Sequence, residues 1–109
     1  NDYNPTGLST ASTLRLNSDA VREITGLSGG ADGRIILMHN IGSFAITLKN
    51  SSTSSSASNR FLFSSDLTLS PNVSITLQYD STSTKWRLLG GSGSSGGGTD
   101  LSSIYALIA

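Results

Sequence analysis

The sequence predicts an all-β fold: a small β-sandwich or jelly-roll-like domain of about eight short antiparallel strands. Three observations carry this expectation. Ile75, Leu77 and Tyr79 alternate with Thr76, Gln78 and Asp80, the period-2 pattern of a strand with one buried face. A polar turn at 81–84 leads into a second strand at 85–89, which holds the only tryptophan and ends on a glycine pair, so residues 74–91 read as a hairpin. Elsewhere, short alternating runs recur at fairly even spacing between turn signals, with no helical periodicity of useful length to compete.

The elements follow in order. Residues 1–12 are expected to form an extended leader, because Asn4-Pro5 and Gly7 interrupt any regular element. The β-sandwich domain is placed at 13–90. It begins with a short strand that sets Leu14 and Leu16 on one face. Residues 21–27 predict a second strand with Ile24 buried. A helix over 18–24, capped by Ser18, is the rival reading; the β-rich surroundings argue against it. Residues 28–33, SGGADG, form a turn, and 34–40 are the strongest single strand, with Ile35 and Leu37 facing one way and Ile36 and Met38 the other.

Asn40-Ile41-Gly42 fits a tight hairpin loop with Gly42 in a left-handed conformation. The return strand, 43–50, is expected to point Phe44, Ile46 and Leu48 inward. The Ser/Thr tract at 51–58 has nothing to bury and reads as a mobile loop. Phe61 and Phe63 share a face, Leu67 and Leu69 alternate with Thr68, and Pro71-Asn72 stops that strand. Residues 91–99 form a Gly/Ser linker by composition. In the short apolar segment 100–109, Leu101, Ile104, Tyr105 and Ile108 fall at helical offsets, so it is expected to be a short helix or an assembly tail.

Composition narrows the function. Seven basic and seven acidic residues cancel, and no block of like charge offers a surface to nucleic acid. No apolar run, whether 35–38 or 104–109, approaches the length of a membrane helix. Without cysteine there is neither a disulfide framework nor a thiolate metal site. The charged fraction of 13% is about half the usual ~25%, so Ser, Thr, Asn and Gly must make much of the surface.

No constellation of catalytic residues stands out. His39 is the only histidine and lies at a strand end, where a structural role is expected. No GxSxG elbow accompanies the many serines. Asp2, Asp19, Glu23, Asp32, Asp66, Asp80 and Asp100 are scattered, and most sit in turns where they cap main-chain amides. The glycine run lacks the lysine and the strand–loop–helix setting of a phosphate loop. No catalytic residue, metal or cofactor is therefore assigned. Trp86, between Lys85 and Arg87, and Tyr79 are the candidate glycan contacts, as stacking platforms; the core is the competing place for both.

The order of signals is more specific than any one of them. NPTGLSTASTLRL leads into REITGLSGGADGRIILMHN, followed by ITLKN, a Ser-rich gap, NRF, DLTLSPNVSITLQYD and KWRLLGG. In these motifs, over about residues 4–91, the chain resembles a recurrent β module of tailed-phage tail fibres and related virion appendages. The resemblance implies a non-enzymatic structural part of a virion: a tail fibre, a spike, or a capsid decoration or head-fibre module. It also implies a homo-oligomer, commonly a trimer, that contacts other virion proteins through its leader and C-terminal tail and has a role in attachment to host-surface glycans. A carbohydrate-binding β-sandwich is the alternative function, and a glycan depolymerase a third class.

Overall fold

A computed structural model describes residues 2–90; the expected linker at 91–99 and the segment 100–109 lie outside the described residues. Ten strands form among the described residues: β1 (Asp2–Tyr3), β2 (Thr13–Leu16), β3 (Arg22–Ile24), β4 (Gly26–Leu27), β5 (Ile35–Asn40), β6 (Ile46–Leu48), β7 (Phe61–Leu62), β8 (Leu67–Leu69), β9 (Ser74–Asp80) and β10 (Lys85–Gly90). They make three sheets, ordered β1-β4, β2-β5-β9-β10-β7 and β3-β6-β8. The predicted mostly-β domain is present. The helix over 18–24 is not, because β3 occupies its second half.

Strand direction differs from the expectation. An antiparallel set was predicted, yet β1–β4, β2–β5, β3–β6 and β7–β10 pair in parallel. The first three pairs share one register. Asp2 lies beside Gly26, Thr13 beside Leu37 and Arg22 beside Ile46, so each partner is 24 positions further on. The chain thus visits three sheets in the same order twice and makes two turns of a coil. Parallel neighbours need a long connection, and the other two strands of each turn supply it. Alternation in a sequence shows that a strand has a buried face, but not which neighbour it takes; hence the mistaken direction.

After β6 the chain reverses. β8 pairs antiparallel with β6, and β9 with β5, while Arg60 bridges to Gly26 in β4. These pairings cover the second turn. β9 and β10 form the predicted hairpin, with Lys85 opposite Asp80. Val73 N–H donates to Ser70 O, and Asn72 has a φ of 68° with Pro71 before it, a type II turn that stops β8.

The coil explains the other departures. β5 and β6 lie in different sheets, so 40–42 is a corner and not a hairpin loop. Gly42 is absent from the positive-φ glycines, which are Gly7, Gly29 and Gly33. Its smallness serves close approach instead: a Cβ there would lie 2.6 Å from Asn17 Oδ1 and 3.2 Å from Ser18 N, in the corner of the turn above. Phe44, expected inside, sits at this corner and is 42% exposed. Residues 21–27 split into β3 and β4 in separate sheets, and Leu27 is fully buried while Ile24 is partly so.

Residues 2–12 belong to the packed domain rather than to an extended leader. β1 pairs with β4, a single 3-10 turn spans Leu8–Thr10, and Leu8 is buried. The Arg34 guanidinium donates to the carbonyls of Gly29, Leu8 and Ala11, which ties this segment to the second turn. The Ser-rich tract is anchored as well. Ser55 is buried with its Oγ 2.7 Å from Thr25 Oγ1, and Asp2 accepts hydrogen bonds from Ser56 N and Oγ.

One core joins the sheets. Leu14, Leu16, Ile36, Met38, Ile75, Leu77, Tyr79, Trp86 and Phe61 reach it from the five-stranded sheet, and Ile46, Leu48 and Leu69 from the three-stranded one. The predicted inward faces of β2, β8 and β9 are thus observed. Asn40 is the polar member. Only 1% exposed, it donates from Nδ2 to Phe44 O at 2.8 Å and to Leu69 O at 2.9 Å, and accepts from Gly42 N–H at Oδ1. It stands where the second turn places the counterpart of Leu16, and ties the end of β5 to β8.

Candidate functional site

The two sequence-predicted glycan contacts come together on the hairpin. Trp86 and Tyr79 are in register across β10 and β9, with ring centroids 5.2 Å apart and an interplanar angle of 78°. Trp86 is fully buried, and its Nε1–H donates to Leu27 O at 2.8 Å. The Tyr79 hydroxyl donates to Ser58 O at 2.8 Å. Gly30 lies directly on the Tyr79 ring; a Cβ there would fall 2.3 Å from two ring carbons. Both rings therefore pack inside the domain, and neither presents an open face for a sugar to stack on.

A cleft of about 720 Å³ opens where β7 stops at Leu62 and the chain crosses to β8. Phe63, stacked on Phe61 with centroids 5.3 Å apart, forms one side with Leu67. Arg87 and Leu88 of β10 form another, and Asp66 lies in the crossing. The site was not legible beforehand, because it arises from two sheets parting and not from a motif. Its charged groups are already engaged. Asp66 accepts from Lys49 Nζ at 2.7 Å and from Asn50 N–H at 2.8 Å. The lysine hydrogen bond and the amide hold the Asp66 carboxyl below its ordinary value, and Asp66 in turn raises Lys49.

Arg87 Nε donates to Asp80 Oδ2 at 2.8 Å. That bond, with others from Ser83 Oγ and Thr82 N–H, lowers the Asp80 carboxyl to about 2. A carboxyl lowered on folding contributes stability above its ordinary value of 3.8, and that contribution is lost as the pH falls through about 2. Urea midpoints followed down this range should therefore fall less steeply in Asp80→Asn than in the parent chain. Parallel slopes would remove Asp80 as the responsible group.

Four of the seven carboxylates follow the expected capping role: Asp2, Asp32, Asp66 and Asp80 accept from the amides of Ser56, Ser81, Asn50 and Thr82, whereas Asp19 and Glu23 pair with Arg22 and Lys49. His39 was expected in a structural role at a strand end. Its Nδ1 lies 2.6 Å from Ser74 Oγ, a pairing that sequence order concealed because β5 and β9 are distant in the chain. Its in-register neighbours are Arg15 and Ser74, neither a carboxylate that could orient the ring as a nucleophile-activating base requires. Among the described residues, no three His, Cys, Asp or Glu side chains gather as a metal would need. No family model matches the chain, and comparison with curated proteins finds no match.

Proposed function

We propose that the chain is a non-enzymatic structural module of a phage virion, a tail fibre, spike, or capsid decoration or head-fibre part, whose sheets close as a small β-sandwich of jelly-roll-like form. The observation that carries this reading is how the polar groups are used. Four aspartates cap main-chain amides, Arg34 gathers three main-chain carbonyls, and Lys49 and Arg87 are held in ion pairs. Such chemistry stiffens a scaffold. The motif order described above supplies the virion context, and the module acts at the outer surface or on a tail appendage. Attachment to host glycans belongs to the assembled appendage; the buried Trp86 and Tyr79 give no support to a glycan site built on their rings.

The module works as a homo-oligomer, a trimer. Val21, Ile35, Ile41, Phe44 and Leu89 each leave a large apolar side chain at least two-fifths exposed, and a trimer would bury such side chains along with unpaired strand edges. Light scattering on the full chain should give three times the chain mass. A clean monomer at micromolar concentration would overturn the oligomeric part of this reading.

A further inference from the structure

β7 is short. It sets Phe61 beside Trp86 and Leu62 beside Arg87 and then ends, so beyond Arg87 this side of β10 has no strand against it among the described residues. Trp86 N–H donates to Arg60 O on that side, and the alternation of a parallel ladder turns the Leu88 carbonyl the same way. The crossing to β8 begins at Phe63, whose N–H donates instead to Asn50 Oδ1. The cleft of about 720 Å³ lies in the gap so made, and its size falls within the ~300–1,000 Å³ of small-molecule sites.

Its lining is of two kinds. Leu67, Leu88 and the Phe63 ring are apolar, and the ring, stacked on Phe61 by one face, stays partly exposed. The rest is polar. Asp66 keeps acceptor capacity: Lys49 Nζ binds Oδ2 and Asn50 N–H binds Oδ1, while a carboxylate has about four lone-pair positions. Arg87 reaches Asp80 through Nε, which leaves the outer guanidinium N–H groups of a half-exposed side chain. The exposed Ser64 and Ser70 add hydroxyls that both donate and accept.

The ligand class follows from this lining. An ion is disfavoured, because the carboxylate and the guanidinium are of opposite sign and each is already neutralised from outside the cleft, by Lys49 and Asp80. An added strand is disfavoured too: β10 is open only beyond Arg87, and β8 spans three residues before Ser70 and Pro71. An uncharged molecule with an apolar face and a rim of hydroxyls satisfies the whole lining. A pyranose ring has that form, since its C–H face packs on an aromatic ring while its hydroxyls donate to a carboxylate and accept from a guanidinium. We infer that the cleft between β10 and β8 binds a neutral pyranose unit, with Phe63 and Leu88 against the ring face, Asp66 accepting from its hydroxyls and Arg87 donating to one. The site is built without Trp86 or Tyr79. It rests on the cleft alone and stands apart from the virion reading and the trimer: a monomer that binds sugar would keep it.

The test is an NMR titration of the isotope-labelled full chain with the methyl glycosides of glucose, galactose, mannose and N-acetylglucosamine, and with methyl glucuronide as the charged control. At least one neutral glycoside should give saturable amide shifts confined to residues 62–70 and 87–88, the lining of the cleft. Asp66→Asn should weaken that binding about tenfold, the worth of one hydrogen bond to a charged group. Because Asp66 also holds Lys49 and Asn50, a second variant separates binding from folding. Ser65→Phe puts a ring into the cleft from an exposed position, and should abolish binding with the thermal midpoint unchanged. Absence of saturable shifts with every neutral glycoside overturns the inference, as does binding that survives Ser65→Phe. Tighter binding of methyl glucuronide than of any neutral glycoside overturns it as well, and would assign the cleft to anions through Arg87.

Discussion

Trp86→Ala is expected to cost about 3–5 kcal/mol, the range for truncating a large buried aromatic side chain. The total stability of a domain this size is ~5–15 kcal/mol, so the variant keeps little margin. Three losses combine. The side chain is fully buried, so its removal leaves a cavity among residues of β4, β9 and β10. The edge-on contact with Tyr79 disappears. Leu27 O also loses the Nε1–H that satisfies it. Trp86→Phe separates these contributions: it restores much of the apolar volume but leaves the carbonyl unpaired, for a smaller cost of about 1–3 kcal/mol. Urea unfolding of both variants checks the order. If Trp86→Ala instead kept its stability and lost binding on a glycan array, the ring would be a surface platform and the carbohydrate-binding function would replace the structural one.

The second large effect belongs to Asn40. Asn40→Leu leaves Phe44 O, Leu69 O and Gly42 N–H without their partner, and an unsatisfied buried group costs ~1–3 kcal/mol. Asn40→Asp is worse at neutral pH, because it sets a buried carboxylate against two carbonyl oxygens. Burial and those acceptors raise the folded-state pKa of the new carboxyl above its unfolded value of ~3.9. The sign follows from linkage. The deficit of Asn40→Asp is smallest below the unfolded value, where the acid is protonated and can donate, and grows as the pH rises through the folded value. Asn40→Leu carries no such pH dependence. Urea midpoints of both variants across the acid range test this directly. A pH-independent deficit in Asn40→Asp would mean that Asn40 does not donate to the two carbonyls.

These two residues also show how much of the fold could be read from the letters. The hairpin that carries Trp86 was legible because both of its signals are local: alternation along each strand and a polar turn between them. Its inward face, Ile75, Leu77, Tyr79 and Trp86, is observed as expected. Asn40 reads locally as a turn residue, since an asparagine before Ile-Gly has that meaning. Its contact with Leu69, 29 positions away, depends on a sheet order that no short window contains. The coil was missed for the same reason. One signal did exist: Tyr3 and Leu27, Leu14 and Met38, Ile24 and Leu48 are apolar pairs at a constant spacing. It is faint, because Leu16 meets Asn40 and Arg22 meets Ile46 at the other inward positions and the corners share no residues that repeat.

The candidate site divides in the same way. Sequence could nominate Trp86 and Tyr79 as rings, but their accessibility depends on Gly30, Leu27 and Ser58, which reach them from distant loops and strands. The cleft beside Phe63 and the pairing of His39 with Ser74 are likewise products of sheet order.

The constant spacing of the coil bears on how the chain finds its fold. Closing a loop costs entropy that grows slowly with its length, so contacts between near residues form at the smallest cost. The β9–β10 hairpin closes through four residues, and each parallel pair of the coil through one circuit of the chain. The most distant strand partners lie where β5 meets β9, as with Leu37 and Thr76. The last zipper to close is therefore the seam between coil and hairpin, and that seam carries much of the buried apolar surface. Among the described residues the strands of the outer circuit pair on one side only, so in the folded protein that circuit is expected to loosen first, while the hairpin and the seam stay shut.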